Sequence, residues 1–187
     1  MRAPAIAHTE LFSYLVTRHT GRAVRTSIER ELDGFDRTVL AVLDLTHVEL
    51  IDFSCADEIV AKLVVARAGA APGHRRFFLF RGVGERHVEP IESALARQGL
   101  ACAAETVDGS PRVLGDIAGE VERAWRELWT LGRAGPGSLA ARLSLSRRAV
   151  SDALAELDSR SLVIREGRSY VSFGRALLDA PGPGPRE

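Results

Sequence analysis

The strongest constraint on the fold is a nearly unbroken apolar run at residues 38–45, TVLAVLDL. Such a run predicts a strand covered on both faces, as in the interior of a parallel sheet. Apolar segments of strand length also occur at residues 11–16, 76–80 and 100–104, and stretches with apolar residues at helical spacing separate them. The alternation of strands and helices predicts an α/β domain with a mostly parallel or mixed sheet over residues 8–108.

Three helices of this region carry recognisable ends. Thr20 is the predicted N-cap of the first helix, and Gly34 is its predicted stop. Ser54 is expected to begin the second helix, with acidic residues in its first turn. The third helix is predicted to open at Pro90 and to end at Gly99.

Residues 40–64, LAVLDLTHVELIDFSCADEIVAKLV, resemble the signature of STAS domains. That family includes the anti-sigma-factor antagonists and the cytoplasmic tails of sulphate transporters. The resemblance covers about residues 10–106, and the helix start is closest to STAS-like proteins of unknown function. It implies a small mixed α/β domain that receives a signal from a partner protein or a ligand. The matching positions are Asp44, Val48, Ile51, Asp52 and Ser54.

The helix start departs from the anti-sigma antagonists, in which it reads Asp-Ser-Ser-Gly and a partner kinase phosphorylates a serine. Here Phe53 replaces the first serine and Cys55 replaces the glycine. Ser54 is either a phosphate acceptor, favoured by the helix N-terminus, or simply an N-cap. Cys55 is interpreted as a small packing residue rather than a redox sensor, because neighbouring acids disfavour its thiolate. The candidate partner or phospho-switch residues are Asp52, Ser54, Cys55 and Asp57.

Residues 113–178 are predicted to form a second domain after a loop at residues 106–112. A helix begins near Ile117, and Ser138 is the predicted cap of a second, shorter helix. The string 139–163, LAARLSLSRRAVSDALAELDSRSLV, closely resembles a bacterial winged helix-turn-helix.

The resemblance assigns a mechanical role to several positions. Ala141 is expected where the two helices cross, Leu145 in the turn, and Ser146 as the N-cap of the recognition helix. Short strands at residues 162–164 and 169–173 would form the wing. Ser161 departs from the many relatives that have glycine before the first of these strands.

The predicted interface with double-stranded DNA combines the start of the recognition helix with the wing. The arginines suit guanine edges and phosphates, and the serines suit either. The alternatives are that these arginines are only a solvated face, or that the domain docks a protein or dimerises. The candidate DNA-binding residues are Ser146, Arg147, Arg148, Ser151, Asp152, Arg165 and Arg168.

Charge gives this interpretation modest support. The chain has 25 basic and 25 acidic residues, and therefore no net charge at pH 7. Residues 1–110 carry −2 and residues 111–187 carry +2, while the segment 138–175 carries +3 because seven arginines face four acids. The gradient agrees with DNA binding by the second half, and its shallowness predicts modest non-specific affinity.

Several function classes lack a sequence signal. No apolar run reaches the about 20 residues of a membrane span, and no signal peptide is expected. Two cysteines and five scattered histidines give no metal motif, and no phosphate loop or nucleophile motif occurs. We therefore expect a cytoplasmic regulator that is not an enzyme, has no metal or cofactor, and forms a homodimer with Trp125 and Trp129 as candidate interface residues. Residues 179–187 are expected to be a disordered tail.

Overall fold

A computed structural model describes residues 4–67 and 74–180 and shows a mixed α/β protein, which confirms the predicted class. Residues 181–187 of the predicted tail lie outside this part, while residue 179 ends a helix. The first half contains β1 (Ala5–Leu15), α1 (Arg18–Asp33), β2 (Val39–Ile51), α2 (Phe53–Ala56), a π-helical turn (Asp57–Ala61), α3 (Lys62–Ala66), β3 (Arg76–Val83), α4 (Glu85–Ala96), β4 (Ala101–Thr106) and β5 (Pro111–Gly115). The second half contains α5 (Gly119–Leu131), β6 (Arg133–Ala134), α6 (Pro136–Leu143), α7 (Arg147–Ser159), β7 (Ile164–Glu166), β8 (Ser169–Val171) and α8 (Phe173–Asp179).

The first five strands form one sheet in the order β1-β2-β3-β4-β5. The first four are parallel, and β5 returns antiparallel to β4. Crossovers between parallel strands are almost always right-handed, so strands in sequential order place all their crossover helices on one face. That face is covered by α1, the helical segment from α2 to α3, and α4. The other face must be covered by something else.

The second half of the chain provides this cover, and we call residues 119–179 the C-terminal unit. Leu40, Phe77 and Leu79 of the uncovered face belong to the same apolar cluster as the core of the C-terminal unit. The rings of Phe77 and Phe173 meet edge to face with centroids 5.7 Å apart. Each half therefore buries apolar surface that the other needs, which stabilises the assembly of both.

A polar contact reinforces this junction. Arg75, just before β3, forms an ion pair with Asp158 of α7 and also donates to the Asp158 carbonyl at 2.6 Å. The same guanidinium donates to Ser161 Oγ at 3.2 Å and lies over the Phe77 ring. Arg75 thus connects the amino-terminal end of β3, the central strand of the sheet, to the end of α7.

Two predicted helix caps are wrong by a few residues. Thr17, not Thr20, caps α1 and accepts from the Thr20 N–H, while Gly34 ends the helix as predicted. Asp52, not Ser54, caps α2, because its carboxylate accepts from the Cys55 N–H at 2.7 Å. In both cases the N-cap is the residue whose side-chain oxygen accepts from one of the first N–H groups of the helix, which have no partner within the helix.

The third helix also starts earlier than its proline suggested. α4 begins at Glu85, so Pro90 lies within it rather than at its first position, and Gly99 follows its last turn with φ +59°. The predicted loop at residues 106–112 is wrong in its second part, because Pro111–Gly115 form β5 on the edge of the first sheet. The strand β2 is longer than predicted and reaches Ile51, where β1 still pairs with it.

The C-terminal unit joins α6 and α7 by a three-residue turn, residues 144–146. Ser146 caps α7, accepting from the Ala149 N–H at 3.1 Å, and the partly buried Leu145 packs on the core; both were predicted. Ala141 was expected where the helices cross, but it is exposed and Ala140 is buried in its place. Ser138 is not the N-cap of α6; it lies one turn in and accepts from the Gly135 N–H.

The first of the two predicted short strands lies two residues later than predicted, and the second begins at residue 169 as predicted but is shorter. The hairpin is formed by β7 (Ile164–Glu166) and β8 (Ser169–Val171), with β6 added on the far side of β8. Residues 173–179, which follow it, form a helix capped by Ser172. None of the helices in the described residues is long and apolar enough to cross a membrane.

Candidate nucleic-acid interface and partner site

The start of α7 presents a short polar face. Arg147 and Arg148 occupy its first turn and are exposed, as is Asp152, while Ser151 is partly exposed. Positions 148, 151 and 152 share one helix face, since they are three and four residues apart. Val150, Leu154 and Leu157 point the other way and are fully buried, so the core fixes which face is turned to solvent.

The hairpin carries the other two predicted arginines. Arg165 in β7 is exposed and lies over the Tyr170 ring, and Arg168 is exposed in the turn between β7 and β8. Gly167 allows this two-residue turn because its φ is +61°, a conformation that suits glycine. The structure thus places the seven candidate residues on two elements of the C-terminal unit.

Ion pairing separates the arginines of this unit into two groups. Between residues 133 and 175, four arginines form ion pairs with acidic side chains: Arg133, Arg142, Arg160 and Arg175. The other four, Arg147, Arg148, Arg165 and Arg168, have no ion pair with any described residue. The second group consists of the four arginines predicted from the sequence to contact DNA. Arg123 of α5, earlier in the unit, is also exposed and has no ion pair with a described residue. Among the described residues, Asp152 forms no ion pair with Arg148 either.

The predicted partner site lies where β1 ends and α2 begins. Asp52 accepts from the Thr17 N–H at 2.9 Å with one oxygen and from the Cys55 N–H with the other. Burial opposes the charge, but these donors hold the pKa of Asp52 below its usual value. Ser54 is partly exposed in the first turn of α2. The Asp52 carboxylate therefore connects the backbone just after β1 to the first turn of α2.

Cys55 is a packed thiol, in agreement with its interpretation from the sequence. Its side chain is completely buried, and Sγ donates to the Thr17 carbonyl at 3.0 Å. Burial and the Asp52 charge raise the pKa of Cys55 to about 11, which makes a reactive thiolate unfavourable at neutral pH. Gly21 of α1 lies against it, and a Cβ there would come within 2.9 Å of the Cys55 Cα.

Asp57 belongs to a buried charge network that the sequence analysis missed. Arg18 Nη1 reaches Asp57 at 2.7 Å and Glu58 at 3.0 Å, and Glu58 is completely buried. Arg25 lies 3.4 Å from Glu58, and Lys62 also pairs with it. Burial by itself would raise the pKa of Glu58, but Lys62 and Arg18 stabilise its charge and hold the pKa below its usual value. The four-residue spacing of Glu58 and Lys62 was the only signal in the sequence.

The tryptophans are mainly core residues. Trp125 is 1% exposed and donates from Nε1 to the Leu162 carbonyl at 3.1 Å, so it is not available as an interface residue. Trp129 is partly buried, with its ring centroid 5.0 Å from that of Trp125. Asp44 accepts from the Thr46 N–H at 2.8 Å, at the end of the part of β2 that pairs with β3. No group of three potential metal ligands occurs among residues 4–67 and 74–180.

No protein-family model matches the chain, and a search of curated proteins returns no match. The geometry of the two candidate sites therefore carries the functional argument.

Proposed function

We propose that this protein is a DNA-binding transcriptional regulator that uses α7 as a recognition helix and the β7–β8 hairpin as a wing. The C-terminal unit would be a winged helix-turn-helix, and the first half a STAS-like domain that receives a signal. The observation that carries the proposal is the distribution of ion pairs: of the five arginines of the unit without an acidic partner in the described structure, all but Arg123 of α5 lie at the start of α7 and on the hairpin. Cations left without protein partners suit phosphates and guanine edges.

The contacts divide into two kinds. Arg147 and Arg148 would lie at the entry to the major groove, where recognition helices direct their first residues at base edges. Ser151 and Asp152 lie one turn further along the same helix. Arg165 and Arg168 on the hairpin would hold the flanking backbone and so position the helix without reading sequence. A homodimer would double these contacts on two half-sites.

The test is a fluorescence-anisotropy titration against the DNA upstream of the protein's own gene. We expect Arg147→Ala combined with Arg148→Ala to weaken specific binding by at least tenfold, since each lost base contact costs about 1–3 kcal/mol. The matched control replaces Arg112 and Arg126, two arginines held in ion pairs, by alanine. No binding at low salt, or equal weakening by both double variants, would refute the proposal.

A second function is favoured by a separate observation. Beyond the part of β2 that pairs with β3, the strands β1 and β2 continue as a two-stranded ribbon. Phe12, Tyr14 and Leu50 are exposed on it, at 56%, 59% and 44%. Neighbouring exposed apolar side chains of this kind mark protein contacts, so a partner-switching module that binds protein and not DNA is the alternative. Binding of a protein partner that is lost with Tyr14→Ser, in a chain that fails to bind DNA, would favour it.

A further inference from the structure

A cleft of about 480 Å³ lies where the sheet meets the C-terminal unit. Arg81 of β3 and Glu105 of β4 line it from the carboxyl ends of their strands, and Trp129, Arg175 and Leu178 line it from α5 and α8. The cleft thus combines charged side chains at the ends of two strands with side chains of two helices. The volume also falls in the range of about 300–1,000 Å³ that small-molecule sites occupy.

Each of the two guanidinium groups of the cleft is held in place by a carboxylate but keeps at least one nitrogen that has no acceptor among the described residues. Arg81 donates from Nε to Glu105 at 2.6 Å, and its two terminal nitrogens have no acceptor among the described residues. Arg175 donates from Nε to Asp179 Oδ2 at 2.9 Å, and its Nη2 lies 2.7 Å from Asp179 Oδ1, which leaves Nη1. Carboxylates and phosphates are the groups that such fixed N–H donors bind best.

The remaining wall is apolar. Trp129 stands against Gly174, where a Cβ would lie 3.2 Å from the indole ring, so the missing side chain determines the position of the ring. Leu178 is 80% exposed beside it. An aromatic ring placed here would cover both side chains and pair with the indole.

We propose that this cleft binds a small aromatic carboxylate. The carboxylate would accept from Arg81 and Arg175, and the ring would pack on Trp129 and Leu178. Glu105 and Asp179 offset the two positive charges, so a dianion such as a phosphate monoester is disfavoured. Because the lining comes from both halves of the chain, the ligand contacts the sheet and the C-terminal unit together. An effect of the ligand on DNA affinity rests on the proposed function, whereas binding itself does not.

The test is isothermal titration calorimetry on the full chain without DNA, using phenylacetate, its neutral amide and phenyl phosphate as probes. We expect phenylacetate to bind at least tenfold more tightly than either of the other two. Arg175→Gln and Arg81→Gln should each weaken phenylacetate at least fivefold. The matched control is Arg112→Gln. It removes a similar ion pair, in which Arg112 lies 3.2 Å from Glu92, and this pair lines a separate cavity of about 380 Å³. The control should leave the affinity for phenylacetate unchanged.

Three results would overturn the proposal. One is no binding of phenylacetate at ~10 mM, a concentration at which a specific ligand of this size should bind. The second is equal affinity for phenylacetate and its amide. The third is equal weakening by Arg112→Gln and Arg175→Gln, with each variant shown by circular dichroism to be folded. Each of these results is independent of whether the protein binds DNA.

Discussion

Four non-glycine residues among those described have a positive φ: Ser13, Thr17, Ser144 and Ser161. This backbone conformation disfavours residues with a Cβ. Ser161 is the position at which the winged-helix resemblance leads one to expect glycine, and its φ of +56° explains why. Ser144, at the end of α6, has a φ of +54°. The sequence does not predict this positive φ, because serine also suits a polar turn with negative φ.

Ser144→Gly is therefore expected to stabilise the protein. Glycine adopts this conformation without a Cβ penalty, and part of that gain is offset by the greater freedom of glycine in the unfolded chain. We expect the free energy of unfolding in urea to rise by about 0.5–1 kcal/mol. Ser159→Gly, at the last residue of α7, is the control and should lower it. A loss of stability with Ser144→Gly would contradict this explanation.

His87 is buried with both ring nitrogens engaged. The Gly84 N–H donates to Nδ1 at 3.1 Å, and Nε2 lies 2.9 Å from the Val48 carbonyl, so the neutral ring carries its proton on Nε2. Burial lowers the pKa of His87, and Arg86 adds to the effect. The unfolded chain therefore binds a proton at a higher pH than the folded one, and stability contributed by the neutral ring is present above about pH 6.5 and lost as the pH falls below it.

His87→Gln should flatten this pH dependence. Urea unfolding of both proteins between about pH 7.5 and about pH 5 measures it, a window around the ordinary histidine pKa. We expect the wild-type protein to lose more stability across the window than the variant loses. His19→Gln, at an exposed residue of α1, should behave like the wild type. Equal losses in wild type and His87→Gln would show that another group causes the pH dependence.

At the scale of elements, most strands and helices follow from the sequence, but their starts do not. The start of α2 is instructive, because Asp52 and Ser54 are both good N-cap residues. Asp52 has the role because its second oxygen also binds the Thr17 N–H, at the end of β1. Such a contact between distant segments is invisible to local sequence patterns. The same holds for Glu58, whose partners on α1 come from a different element.

Asp52→Ala is expected to destabilise the protein far more than Ser54→Ala. Loss of the aspartate leaves two N–H groups without their acceptor, at a cost of about 1–3 kcal/mol. Ser54→Ala, which retains the cap, should change the free energy of unfolding by less than about 0.5 kcal/mol. Urea titrations followed by circular dichroism compare the two. A larger effect of Ser54→Ala would reinstate Ser54 as the cap.

For the whole molecule, the sequence predicts that residues 38–45 are covered on both faces, but not by what. The crossover helices of the same α/β region are available to cover a face of the sheet. The structure uses them on one face only, and the C-terminal unit, predicted as a separate domain, covers the other. The reason is topological, because strands in sequential order have all their crossover helices on one side of the sheet. Local sequence patterns do not predict the strand order, so they do not predict which face lacks these helices.

The shared core predicts that the two halves unfold together. The chain has two tryptophans, both in α5, so tryptophan fluorescence reports only on the C-terminal unit. Phe80 lies on the opposite face of the sheet, in the core under the crossover helices. Phe80→Leu should nevertheless lower the urea midpoint of the fluorescence transition as much as that of the far-ultraviolet circular dichroism transition. An unchanged fluorescence midpoint would show that the halves unfold independently.

The central claim is that Arg147, Arg148, Arg165 and Arg168 bind DNA, and the salt dependence of affinity tests it most directly. Each phosphate contact contributes about 0.9 to the slope of log affinity against log salt concentration. A variant with all four arginines changed to alanine should therefore have a slope about two to four units shallower than the wild type, according to how many of them bind phosphate. The control with Arg112 and Arg126 replaced should keep the wild-type slope. Equal slopes for the wild type and the four-residue variant would contradict the claim.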